Sequence, residues 1–128
     1  SVHPDMSEIV NQLPYPPGFP TVLPSGFQLL DTTVNAAARP IVQLRLRYGN
    51  SSGGDLIITQ VNVTANGGGA EVFPGAQARD MKIGTVDGVM LTQEDGRHRL
   101  VFTRDNVRFT LVGGLPEETL IAVAKSLQ

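Results

Sequence analysis

The chain has 128 residues, of which 41% are hydrophobic and 17% charged, and its formal net charge is −2. This length predicts one domain, 1–128, large enough to bury a core, while the charge balance disfavours nucleic acid as a partner, because phosphate binding requires a positive excess. The absence of cysteine excludes disulfides, thiolate zinc sites and cysteine nucleophiles. The apolar runs are far shorter than the ~20 residues of a membrane span, so we expect any membrane anchor to lie outside these residues.

The first segment, 1–26, is predicted to hold a short helix followed by irregular chain. Residues 4–13, "PDMSEIVNQL", place apolar side chains at helical spacing behind Pro4, which suits a first helical turn. The following "PYPPGFPTVLPSGF" has five prolines and two glycines in fourteen residues, a composition that excludes regular structure. Its aromatic side chains predict that it is held against the body of the domain.

Residues 27–114 are predicted to form the sheet. "FQLLDTTV" and "LIITQVNVT" indicate strands, and "IVQLRLRYG" alternates apolar and polar residues as a half-buried strand does. The intervening "NSSGGD" and "ANGGGAEVFPGAQA" are predicted loops, the second with Val72 and Phe73 as anchors.

Three dipeptides in "MKIGTVDGVMLTQEDGRHRLVFTRDNVRFTLVGG" predict hairpins. A two-residue turn at Asp95–Gly96 would pair Leu91 with Leu100 and Val89 with Phe102. A similar turn at Asp105–Asn106 would pair Leu100 with Leu111 and Phe102 with Phe109. A turn at Asp87–Gly88 fits less well, because it puts Lys82 on the apolar face and Ile83 off it, so we expect a bulge or a longer loop at that corner.

The final segment, "GGLPEETLIAVAKSLQ", predicts a helix over 115–128. Pro116 is expected at its first position, Glu117 and Glu118 meet the positive helix end, and an apolar stripe follows, formed by Leu120, Ile121, Ala124 and Leu127. The predicted fold class is therefore α+β, an antiparallel meander of about six or seven strands covered by this helix, with the short N-terminal helix in addition.

These segments together resemble a family. The stretches "EIVNQLPYPPGFPTVLPSGFQL", "VQLRLRYGN", "LIITQ" and "LVFTRDNVRFTLVGGLPEETLIAVAKSL" resemble a bacterial extracytoplasmic domain of unknown function. That domain lies at the C-terminal end of anti-sigma-factor-like and sporulation-linked membrane proteins. The chain is similar, more distantly, to lipoprotein-carrier-like half-barrels. The resemblance implies an extracytoplasmic location, a membrane anchor or secretion, and no catalytic residues.

Catalytic, cofactor and metal sites are not predicted. Histidines occur only at 3 and 98, and the sequence has no metalloprotease, phosphate-loop, dinucleotide or nucleophile-elbow motif. His98 is interpreted as an ordinary strand residue opposite Gln93. We expect no enzyme, no cofactor and no metal site.

Two sets of side chains could instead form contact surfaces. Arginines alternate along the predicted strands at Arg45, Arg47, Arg97 and Arg99, either as a solvated face with local ion pairs such as Glu94–Arg97, or as a patch for an anionic ligand or an acidic partner. Aromatic residues near irregular segments either plug the ends of the core or line an apolar groove: Tyr15, Phe19, Phe27 and Phe73.

The expected function is that of a noncatalytic extracytoplasmic sensory or interaction domain of a bacterial membrane-linked regulator. The alternative is a lipid- or lipoprotein-binding carrier module with an apolar groove between sheet and helix. The partner is accordingly a protein or a small apolar ligand, with the membrane brought near by a segment outside this chain.

Overall fold

The computed structural model describes residues 6–63 and 77–128, which form one seven-stranded antiparallel open sheet and two helices. The elements in chain order are α1 Met6–Asn11, β1 Gln28–Ala38, β2 Ile41–Gly49, β3 Asp55–Asn62, β4 Gln77–Ile83, β5 Val86–Thr92, β6 His98–Arg104, β7 Val107–Gly113 and α2 Glu117–Lys125. Most of this structure is β, so the predicted α+β class is only roughly right. Neither helix is long and apolar enough to cross a membrane.

The strand order is β1-β2-β3-β7-β6-β5-β4. The predicted meander is therefore interrupted: β1–β3 and β4–β7 are each meanders, and the two join where β3 pairs with β7. The connection from β3 to the far edge strand β4 runs through 64–76, outside the described residues. The prediction missed this because hairpin signals report only neighbours in sequence.

Strand β2 has the predicted alternation. Val42, Leu44, Leu46 and Tyr48 are buried, while Arg45 and Arg47 are exposed. The buried side chains lie on the sheet face that α2 covers, which we call the inner face. The arginines lie on the opposite, outer face.

The hairpin between β6 and β7 is confirmed. Asp105 and Asn106 have φ angles of 53° and 64°, as a two-residue turn of type I′ requires. Leu100 lies opposite Leu111, and Phe102 opposite Phe109 with the rings stacked at a centroid distance of 5.0 Å.

The predicted register between β5 and β6 is wrong by one residue. Gln93 pairs with Arg97 around a three-residue loop that ends at Gly96, whose φ is 85°. This longer loop places Met90 opposite Leu100. Met90 is consequently in the core, and Leu91 and Val89 lie on the outer face, because one residue of slip reverses every side chain.

The predicted Asp87–Gly88 hairpin is also wrong. The turn lies at Gly84–Thr85, with Ile83 opposite Val86, and Gly88 is inside β5. This position buries Ile83. A Cβ at Gly88 would lie 3.2 Å from the Val101 carbonyl oxygen, so the close approach of β6 explains the glycine.

The C-terminal helix α2 packs on the inner face over β4, β6 and β7. Pro116 precedes it at the N-cap position instead of beginning it. Its buried residues are Leu120, Val123 and Ala124, joined by Leu127 just beyond its end, whereas Ile121 from the predicted stripe is only partly buried.

Candidate functional site

The candidate site is the outer face of β2, where two arginines follow each other on one side of the sheet. Arg45 lies between Thr33 of β1 and Thr59 of β3, and Arg47 lies between Asp31 and Ile57. The alternation of β2 produces this arrangement: burial of one set of side chains fixes the other set outward.

The two arginines differ in their partners. Arg47 Nε lies 3.9 Å from Asp31 Oδ2, and the two side chains are 48% and 57% exposed. An ion pair this long and this exposed contributes little to stability. Arg45 forms no ion pair with any residue in 6–63 or 77–128. Both guanidinium groups are therefore accessible to an incoming anion.

Arg99 lies on the same face, on β6. The register places Arg47, Ile57, Val112 and Arg99 in one row across β2, β3, β7 and β6. Three strand spacings separate the two arginine backbones, roughly 14 Å. The row therefore has a cationic side chain at each end and two partly buried aliphatic side chains between them.

Arg97 precedes Arg99 by two residues, but its guanidinium is occupied by an ion pair. Its Nη2 donates to Asp55 Oδ2 at 2.7 Å, and the backbone N–H of Gly114 lies 3.4 Å from Asp55 Oδ1. The Arg97 guanidinium lowers the pKa of Asp55, and the carboxylate raises the pKa of Arg97. The ion pair predicted between Glu94 and Arg97 is replaced by this one, which joins the β5–β6 loop to the start of β3.

The aromatic residues proposed for a groove have varied surroundings. Tyr15 is buried, and its hydroxyl lies 2.9 Å from the carbonyl oxygens of both Val42 and Gln60. Phe19 and Phe27 are partly buried and pack against the core. These three side chains therefore pack at the periphery of the hydrophobic core. Phe73 lies outside the described residues.

A polar pair missed by the sequence analysis holds the Pro-rich segment to the sheet. The Gln60 side chain is fully buried; its Oε1 accepts from the Gly18 N–H at 2.7 Å, and its Nε2 donates to the Gly18 carbonyl at 2.6 Å. Next to it, the backbone groups of Phe19 and Gln128 bond to each other in both directions. The available signal in the sequence was a glutamine that alternates with the apolar residues Leu56 and Ile58, but its partner is 42 residues away.

A cleft of about 740 Å³ is lined by residues of β4, β5 and β6. Its walls combine core side chains with two carboxylates, and its lining includes Asp80, Met81, Val86, Asp87, Val101 and Phe102. The carboxylate of Asp87 forms an ion pair with Lys82. The cleft is distant from Arg45 and Arg47 on β2, since it borders the β4–β5 hairpin near the opposite edge of the sheet.

The described ranges contain no group of three or more potential metal ligands. His98 lies opposite Thr92, not Gln93, and its Nδ1 is 3.1 Å from Thr92 Oγ1 and 3.8 Å from Glu117 Oε1. The Thr92 contact joins β6 to β5, and Glu117 at the start of α2 lies close to the same ring.

Comparison with known proteins shows that the chain matches a protein family. A family model described as Domain of unknown function (DUF4367) matches residues 19–127. No curated protein matches the chain.

Proposed function

The chain belongs to the family Domain of unknown function (DUF4367), and we propose that it is a noncatalytic, extracytoplasmic interaction or sensory domain of a bacterial membrane-linked regulator. The regulatory setting comes from the resemblance to the C-terminal ends of anti-sigma-factor-like and sporulation-linked membrane proteins. The location outside the cytoplasm comes from the same resemblance.

The observation that carries the proposal is the exposed pair Arg45 and Arg47 on the outer face. α2 and the Pro-rich segment cover the inner face, so we expect a partner to bind the outer face. Two guanidinium groups two residues apart on one strand point the same way, about 7 Å apart along the chain. This spacing suits two carboxylates on an extended partner segment, because arginine binds carboxylates through paired hydrogen bonds.

The aliphatic part of the row adds to the same surface. Ile57 lies beside Arg47, Val112 lies beside Ile57, and both are only partly buried. A partner that brings acidic residues to the arginines and an apolar residue to Ile57 would combine electrostatic steering with burial of apolar surface. We therefore propose an acidic protein segment as the ligand.

The carrier alternative has less support. A lipid would need space between α2 and the sheet, where Leu120, Val123 and Leu127 are buried at 2% exposure or less. Close packing of these side chains favours a domain that works by surface contact. Titration with a fluorescent fatty acid tests this directly, and we expect no saturable binding.

The interaction is tested by photo-crosslinking in cells that express the full-length gene product. A photoreactive residue replaces Thr59, which lies beside Arg45 on the outer face, and in a matched control it replaces Ala122, which is exposed on α2. We expect a specific crosslinked membrane-associated protein from position 59 and none from position 122. The crosslink should disappear when Arg45→Ser and Arg47→Ser are added.

A crosslink that persists in the double arginine variant, or one that forms equally from the helix position, would contradict the proposal. An open reading frame without a membrane anchor or secretion signal would contradict the extracytoplasmic setting while leaving the contact surface testable.

A further inference from the structure

The two edges of the sheet are protected to different degrees. The β4 edge has charged side chains at Arg79, Asp80 and Lys82, which discourage pairing with another strand. The β1 edge is longer, with 11 residues, and contains no lysine, arginine or proline. Its single charge is Asp31, so β1 is the edge open to strand addition.

Irregularities at both ends confine the regular part of β1. The register shifts between Leu29 and Asp31 and again between Asn35 and Ala38. Residues 31–35 between these shifts pair with β2 without interruption. A strand added to this edge therefore has five residues with regular geometry available, centred on Thr33.

We propose that the occupant of this edge is a second copy of the chain, paired antiparallel through β1 about a twofold axis at Thr33. In this register Thr33 faces its own copy and Asp31 faces Asn35, so no like charges are opposed. The twofold axis is perpendicular to the sheet, and it preserves the faces: inner side chains meet inner, and outer meet outer. The result is one continuous sheet with both C-terminal helices on the same side.

An exposed apolar side chain borders the regular segment. Leu30 is 46% exposed, a large fraction for a leucine, and it directly precedes Asp31. A second copy paired over 31–35 would lie beside this leucine at each end of the symmetric contact and would cover part of it.

The charges of the outer face permit this arrangement. Arg45 lies beside Thr33, so the two copies of Arg45 would be three strand spacings apart, roughly 14 Å. That distance exceeds the screening length of about 8 Å at physiological ionic strength, so their repulsion is weak. The dimer would hold two arginine pairs on one surface, a bivalent version of the site described above.

A five-residue strand pairing buries less than the roughly 800 Å² per partner of a standard interface. We therefore expect reversible self-association, which anchoring to a membrane would strengthen by raising the local concentration. The association does not depend on the proposed function, because it is measured on the purified chain alone.

Sedimentation over a concentration series tests the dimer, with Thr33→Lys as the disruptive variant. This change opposes two ammonium groups across the axis, and we expect the dimer dissociation constant to rise about tenfold or more. The matched control is Ala78→Lys, on the outer face of the other edge strand. This change should leave the dimer dissociation constant unchanged. A parent chain that stays monomeric, or a dimer unaffected by Thr33→Lys, overturns the proposal.

Disulfide crosslinking gives an independent test that does not rely on the lysine variant folding. The chain has no cysteine, so Thr33→Cys introduces a single thiol directly opposite its copy, at a distance that a disulfide can span after small adjustment. We expect a crosslinked dimer to form much faster than with Ala78→Cys. Equal rates for the two variants, or a faster reaction at position 78, contradict pairing through β1.

Discussion

The side-chain amide of Gln60 forms two hydrogen bonds to the backbone of Gly18, at 2.7 Å from the N–H and 2.6 Å to the carbonyl. The amide thereby supplies the donor and the acceptor that a neighbouring strand would supply. The segment around Gly18 cannot pair as a strand itself, because prolines surround Gly18. A Cβ at Gly18 would lie 3.0 Å from Phe109 Cε2, so glycine also permits the close approach.

Replacing Gln60 with leucine should therefore lower the free energy of unfolding by about 3 kcal/mol, because it leaves two buried backbone groups unpaired. Urea denaturation measures the change. Gln77→Leu, at an exposed position, is the control and should stay within about 0.5 kcal/mol of the parent. A loss below about 1 kcal/mol for Gln60→Leu would mean that water or another group replaces the amide.

Gln60→Glu gives a related test through pH. The ionised carboxylate accepts hydrogen bonds but cannot donate to the Gly18 carbonyl, and burial raises its folded-state pKa above the unfolded value of about 4.3. A raised pKa means that the variant is most stable below that value and loses stability as the pH rises through the folded pKa. Thermal melts at pH 4 and 7 should show a larger deficit relative to the parent at pH 7; equal deficits would contradict a buried carboxyl at this position.

Leu120 carries much of the packing between α2 and the sheet, since it has no exposed surface. Leu120→Ala should cost about 3 kcal/mol, through lost burial and the cavity that remains. Ala122→Ser on the exposed side of the helix is the control, with an expected change below about 0.5 kcal/mol. Denaturant melts that show less than 1 kcal/mol for Leu120→Ala would mean that α2 does not dock as described.

The two tyrosines should resist ionisation in the folded state. Burial raises the pKa of both Tyr15 and Tyr48 to about 12, and the chain has no tryptophan, so near-ultraviolet phenolate absorbance reports these two groups alone. Because the folded pKa is above the unfolded value of about 10, their contribution to stability is complete below pH 10 and is lost as the pH rises towards 12. We expect little phenolate near pH 10.5 and then ionisation coupled to unfolding. Ionisation of either tyrosine at pH 10 in the folded protein would contradict this burial. The variant Tyr15→Phe, which leaves only Tyr48, assigns the signal to one residue or the other.

The Asp55–Arg97 ion pair should contribute little to the free energy of unfolding, and this contribution should decrease at low pH. The lowered pKa of Asp55 means that the pair stabilises the fold above the unfolded value of about 3.9, and that this contribution is lost as the pH falls through the folded pKa. Both side chains are more than a third exposed, so solvent screening limits the effect to below about 1 kcal/mol. Asp55→Asn should reduce stability slightly at pH 7 and low salt, and its difference from the parent should shrink as the pH falls below about 3.9. A constant difference across this range would assign the effect to packing.

Sequence patterns predicted the features that depend on neighbours in the chain. The alternation of β2 predicted its buried face, and Asp105–Asn106 predicted a turn with both φ angles positive. Asp95–Gly96 was ambiguous because the same dipeptide fits two- and three-residue loops, and the choice between them reverses a whole strand.

Contacts between distant residues were beyond sequence reasoning. Arg97 has Glu94 and Asp95 beside it in the chain, yet it pairs with Asp55, which the β3–β7–β6 order brings close. The same limit applies to the four arginines that were predicted to form one patch. Period-two alternation places Arg45 and Arg47 on one face, but only the strand order adds Arg99 to that face, and only the contact with Asp55 shows that Arg97 is occupied.

The proposed function depends most on Arg45 and Arg47 as the contact surface for an acidic partner. The decisive measurement is the affinity of the purified double variant Arg45→Ser/Arg47→Ser for the protein crosslinked at position 59, over a range of salt concentrations. We predict at least tenfold weaker binding and a shallower salt dependence, while Arg79→Ser/Lys82→Ser, which also removes two exposed cations, binds like the parent. Equal affinities for the two double variants would contradict a specific role for the arginines of β2.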